Sequence, residues 1–93
     1  MTYDDAKNAF SEFILSLQKD GGVPLRIAEE HTIERSFGWV FFYEVDTRLS
    51  TEMIAGNGPV IIDKRSGELH ACGTAYPDEW YIDNYEIDGR VDG

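Results

Sequence analysis

The chain has one cysteine, three prolines and eight Lys plus Arg residues among 93, and each scarcity excludes something. A lone thiol, Cys72, cannot close an internal disulfide, and a small domain made for an oxidising compartment usually carries several cysteines. No run approaches the roughly 18 apolar residues of a membrane span. The N-terminus, Met1-Thr2-Tyr3-Asp4-Asp5, places acids where a secretion signal needs bases. A reducing, cytoplasmic setting is therefore expected. The eight bases are scattered and faced by eighteen acids, so neither a phosphate backbone nor an anionic lipid surface is an expected partner.

What the chain does have is a 42% hydrophobic and 13% aromatic composition, enough for one core without metal or disulfide staples despite a net charge of −10. One domain over residues 1–93 is the reading. The acidity either favours capture of a basic partner or serves only to keep the chain soluble, and charge alone does not decide between the two.

Thr2 is placed to cap a helix whose first turn holds Asp4 and Asp5, and Tyr3, Ala6, Phe10, Phe13, Ile14 and Leu17 recur at helical spacing. This predicts a helix over 3–19, ended by Asp20-Gly21-Gly22. Leu25 to Arg35 reads as a strand with one wet face, its alternation lapsing at Ala28-Glu29-Glu30 where a bulge or break is expected. Trp39 to Val45 carries aromatic and β-branched residues on both alternating sets, the mark of a central strand. Residues 46–59 predict a long connection with a helical turn around Thr51 to Ala55. Val60 to Asp63, a turn at Lys64-Arg65-Ser66-Gly67 and a strand from Glu68 to Thr74 predict a hairpin with a positive φ at the glycine. Pro77 then opens a short helix from Asp78 to Glu86, and the residues from Ile87 onward are expected to fray. The expected fold is α+β, in the order α-β-β-β-β-α: an antiparallel four-stranded sheet with a long N-terminal and a short C-terminal helix, both on one face.

No constellation for chemistry emerges. His70 and Cys72 share a strand face but start nearly 7 Å apart at about 3.3 Å per residue, too far for a thiolate–imidazole pair, and only His31 remains as a further obvious metal ligand. The loop Gly56-Asn57-Gly58-Pro59 lacks the lysine and the following helix of a phosphate cradle. Glu86, Asp88 and Gly89 echo a calcium loop whose closing acid would fall beyond residue 93. No catalytic group, cofactor or metal is expected. If both helices share one sheet face, the other face at Trp39 to Val45 lies open unless the 46–59 loop covers it, which fits protein binding or homodimer formation. The residues singled out for partner contact are Glu29, Glu30, Glu34 and Trp39 at that strand region. A second set comes from the acidic and aromatic C-terminal cluster Asp78, Glu79, Trp80, Tyr81, Asp83, Tyr85, Glu86 and Asp88: Asp78, Glu79, Trp80, Asp83, Tyr85 and Glu86 are singled out for contact, and one or two of Trp80, Tyr81 and Tyr85 are expected to remain free of the core.

The order and spacing of the Gly38-Trp39 aromatic strand, Ala55-Gly56-Asn57-Gly58-Pro59, the Ile61-Ile62-Asp63 and Ser66-Gly67-Glu68 hairpin, Gly73-Thr74-Ala75-Tyr76-Pro77 and the closing Tyr81 to Glu86 helix resemble the bacterial immunity protein family 35, the YrhB-like proteins. The resemblance implies a protein that binds a cognate toxin in the producing cell's cytoplasm, with no catalytic residues to carry over. A nuclease toxin would meet the acids as stand-ins for phosphates; a peptidase toxin would be recognised by shape. A stress-related holdase of the YrhB-like type, using the open apolar face, is the alternative.

Overall fold

A computed structural model describes residues 1–19, 22–49 and 58–90. Helix α1 runs Tyr3–Gln18. The Thr2 hydroxyl accepts from the Asp5 backbone N–H at 3.1 Å while the Asp5 carboxylate accepts from the Thr2 N–H at 3.0 Å, a reciprocal cap that satisfies donors the helix itself cannot. Six strands follow: β1 Leu25–Ile27, β2 Ile33–Arg35, β3 Gly38–Phe41, β4 Tyr43–Val45, β5 Val60–Asp63 and β6 Leu69–Ala71, then helix α2 Asp78–Asp88. All pairings are antiparallel, in a four-stranded sheet of order β2-β3-β5-β6 and a two-stranded sheet β1-β4. The α+β class with a long first and a short last helix is as the sequence reads.

The two sheets are one long hairpin interrupted once. β1 pairs with β4 through Ile27 opposite Tyr43, and β2 with β3 through Ile33 opposite Val40. Between those pairs the register slips by the three residues of a 3-10 turn, Glu29–His31, and the Ala28 N–H still reaches the Phe42 carbonyl at 2.9 Å. An odd insertion reverses which face the following side chains take. Leu25 and Ile27 consequently pack with α1, whereas Ile33 packs with α2. The strand predicted from Leu25 to Arg35 thus keeps its ends and its break, but not a single apolar face.

The predicted hairpin is present as β5 and β6. Gly67 takes φ 75°, and the Asp63 carboxylate accepts from the N–H groups of Arg65 and Ser66 at 2.7 and 3.2 Å. Pairing continues past β6 through the Cys72 N–H to the Pro59 carbonyl at 2.8 Å. Helix α2 extends through Ile87 and Asp88, expected to fray, and closes on Gly89 with φ 67°. The Asp20-Gly21 part of the first helix stop, the helical turn at Thr51 to Ala55 and the last three residues lie outside the described residues.

The helices occupy opposite faces of the sheet, which corrects the expectation of one shared face. Trp39, Phe41, Val60 and Ile62 meet Ala6, Phe10 and Ile14 of α1; Val40 and Ile61 meet Tyr81, Ile82 and Tyr85 of α2. A central strand apolar on both sides needs a layer on each, and α2 supplies the second. The core holds a ring stack of Phe10 on Phe41 with centroids 4.9 Å apart.

Candidate protein-binding surface on the second helix

Two of the aromatic residues expected at a partner surface are core residues. Trp39 is 6% exposed, packed edge-on against Tyr3 and covered by the Lys64 ammonium 5.2 Å from its ring. Tyr85 is 7% exposed and sits edge-on to Phe37, with ring centroids 5.0 Å apart. Both serve the layer contacts, and little of either ring is left for a partner. Tryptophan and tyrosine are frequent in cores as well as in hot spots, so residue type alone did not separate the roles.

The Tyr85 hydroxyl donates to the Asp63 carboxylate at 2.7 Å and lies 3.5 Å from His70 Nε2, which in turn is 3.4 Å from the Glu68 carboxylate. This network fastens α2 to the β5–β6 turn. The bond from Tyr85, helped by the Arg65 and Ser66 N–H groups, holds the Asp63 carboxyl below its ordinary range; burial and the same carboxylate push the Tyr85 phenol up. A carboxyl with a lowered folded-state pKa stabilises the fold above its unfolded value, near pH 4, and loses that contribution as pH falls through the folded value. Tyr85→Phe is expected to lower stability by about 1 kcal/mol and to make the acid-induced loss shallower below about pH 4. Urea unfolding midpoints from pH 6 to 3 check both; parallel curves for the two proteins would show that this bond does not set the Asp63 titration.

His70 and Cys72 do share the α2 face. Yet the Cys72 thiol lies 3.8 Å from the His70 carbonyl oxygen, and burial, with a smaller contribution from the charge of Asp78, pushes it up to about 11. At neutral pH it is a protonated, buried packing group.

The acids divide by whether the chain neutralises them. Glu29 is bound by Lys7 at 2.9 Å and touched by the Tyr3 hydroxyl at 3.4 Å; Glu30 pairs with Arg26 at 3.1 Å, and Glu44 pairs with the same guanidinium. Lys7 accordingly holds the Glu29 carboxyl below its usual value. Glu29 and Glu30 thus brace the 3-10 turn against α1 and β1. Asp46 is clamped by Arg48 at 2.8 Å, and Glu86 lies 3.8 Å from Arg35. Among the described residues, the acids left without a basic partner or a capping role are Asp4, Glu12, Glu34, Asp78, Glu79, Asp83 and Asp88. Four of these seven stand on or at the ends of α2, a helix of sequence DEWYIDNYEID that contains no base.

On that helix Tyr81, Ile82 and Tyr85 turn inward, which places Glu79, Asp83 and Ile87, four residues apart, along the outward ridge. Ile87 is 81% exposed. Trp80, half-buried, flanks the ridge and stacks on exposed Tyr76 with centroids 4.2 Å apart and planes 17° from parallel. The helix C-terminus carries Asp88 and Glu86 with no base in its last turn, an arrangement the helix dipole disfavours. The structure therefore brings Asp78, Glu79, Trp80, Asp83, Glu86 and Asp88 together on one helix, apart from Glu29 and Glu30 at the 3-10 turn and Glu34 on β2, and adds Tyr76 and Ile87. The tyrosine was legible only as the residue ahead of Pro77, and Ile87 was hidden by the expectation of fraying.

The sequence model of the family described as Immunity protein 35 matches residues 5–84. The chain belongs to the immunity protein 35 family. A relative from Escherichia coli (strain K12), the uncharacterized protein YrhB, is 37% identical over 91 residues, covering 94% of this chain and 90% of that protein. No solved structure matches the chain. Membership in the immunity protein 35 family implies an immunity role and a toxin partner in general terms. No helix among the described residues is long and apolar enough to cross a membrane.

Proposed function

We propose that this immunity protein 35 member binds one cognate toxin in the cytoplasm of the producing cell and neutralises it by occluding its active site, the acidic outer face of α2 meeting a basic cleft on the toxin. The observation that carries the reading is the concentration of unneutralised carboxylates on α2 in a chain whose family is one of immunity proteins. Desolvated charges demand partners. Exposed charges without partners are free to select a surface of opposite sign and to speed encounter with it. A nuclease, whose cleft is built to hold phosphates, has the matching chemistry.

The test is capture of the product of the neighbouring reading frame by the tagged protein at low and at high salt, with growth of cells expressing that product alone or together with this chain. One captured protein, released by salt, and growth restored by co-expression are expected. Tight capture indifferent to salt would sink the electrostatic part of the proposal, and absence of capture with no rescue would sink the whole.

A further inference from the structure

The Tyr76–Trp80 stack is an exposed aromatic surface that core packing does not require in full. Tyr76 immediately precedes the helix cap at Pro77 and lies edge-on to Tyr81, centroids 6.2 Å apart, as a residue that staples a helix start does. A staple needs an apolar side chain. It does not need a ring lying parallel to Trp80 and left 45% exposed. Trp80 is itself packed edge-on against buried Tyr81 at 5.1 Å, so the pair forms a two-ring platform anchored on the core.

The surroundings of the platform are anionic. Asp78 and Glu79 precede Trp80 and Asp83 follows it by one helical turn, all exposed and none with a basic partner among the described residues. The chain's other tryptophan already holds a cation from within, Lys64 over Trp39; among the described residues no cation lies over the Tyr76–Trp80 pair. A π-face bordered by carboxylates matches a guanidinium, which is planar and weakly hydrated, stacks on rings and donates from its edge to carboxylates. An ammonium satisfies the carboxylates but is compact and strongly hydrated.

Resting on the proposed function, we infer that the Tyr76–Trp80 platform receives an arginine side chain of the basic partner protein, with Glu79 and Asp83 accepting from its edge, so that this face selects arginine over lysine at equal charge.

The test titrates the full chain with hexa-arginine and hexa-lysine at one fixed ionic strength, following tryptophan fluorescence and calorimetric heat. The wild type and Tyr76→Phe are expected to prefer hexa-arginine by about two- to fivefold, the range of an exposed cation–π contact. Tyr76→Leu keeps an apolar staple on Tyr81 but removes one of the two rings, and is expected to lose most of the arginine preference while melting within a few degrees of the wild type. An arginine preference that survives unchanged in Tyr76→Leu overturns the platform. Equal affinity of the wild type for both peptides also overturns it and leaves the acidic-face reading standing. Failure of both peptides to bind overturns the acidic-face reading and the platform with it.

Discussion

Gly38→Ala is expected to cost about 3 to 5 kcal/mol, a large share of the margin of a domain of this size, whose total stability lies in the range of roughly 5 to 14 kcal/mol. Gly38 sits at φ 151°, where L side chains are strained. A Cβ there would stand 2.9 Å from the Lys64 backbone N and 3.1 Å from the Ile62 carbonyl carbon, with the Ile62 oxygen closer still. Nothing in that contact can yield cheaply, because the opposing atoms belong to the β3–β5 pairing, Gly38 opposite Asp63 and Trp39 opposite Ile62. Moving β5 away would open the core layer formed by Trp39, Phe41, Val60 and Ile62. For a domain of 60–100 residues each kcal/mol shifts the melting temperature by about 4–8 °C, so a fall on the order of 15 °C or more is expected in a thermal melt followed by circular dichroism. Gly67→Ala separates strain from close approach. Gly67 also has positive φ, at 75°, but a Cβ there meets only the Met1 side-chain end at 3.5 Å, so about 1–2 kcal/mol is expected. Equal losses in the two variants would mean that strand contact is not what requires glycine at position 38.

The same strand shows how far the sequence could be read. The long first helix and the β5–β6 hairpin were legible because their signals are local: a cap, a helical apolar stripe, a turn glycine. The lapse at Ala28-Glu29-Glu30 located the break in the first hairpin strand, but not its length, and the length decides the outcome. Leu25, Ile27 and Ile33 have the same parity and read as one face; only the count of residues inserted relative to Phe41-Phe42 shows that Ile33 has crossed to the other side. The position of α2 was a tertiary fact of the same kind. The two-faced apolar strand at Trp39 to Val45 announced that something must cover both sides, and the choice among a loop, a partner and the second helix depended on where α2 goes, a long-range placement that no local pattern encodes. Once α2 covers the face, the open apolar sheet that favoured homodimer or holdase readings is gone. At the candidate surface, acid positions were legible, since α2 carries five acids and no base. Which acids are already neutralised was not: Lys7 reaches Glu29 across 22 residues of sequence, and Arg26 is shared by Glu30 and Glu44 from two different elements.

Reversing two charges on the outer ridge, Glu79→Lys with Asp83→Lys, is expected to weaken partner binding by roughly a hundredfold or more, since like charges set against each other across an interface cost several kcal/mol. The fold should tolerate the change. Both side chains are exposed, and neither makes an ion pair among the described residues. Placing a lysine in the first turn of α2 instead of Glu79 forfeits a favourable dipole interaction of only about 0.3–1 kcal/mol. The decisive comparison is with Asp4→Lys and Glu12→Lys on α1, acids that are equally unpaired but belong to the helix on the opposite face of the sheet. Each substitution adds two positive charges, so both double variants move the net charge from −10 to −6 and differ only in where the change is made. If general acidity draws the toxin, the two variants weaken capture alike, through slower association at low salt. If α2 lies against the basic cleft, the α2 variant also dissociates faster, because repulsion at a desolvated contact acts on the complex itself, while the α1 variant loses only part of its association rate. Surface-plasmon kinetics at two salt concentrations separate these outcomes, and faster dissociation confined to the α1 variant would place the toxin on the other face of the sheet.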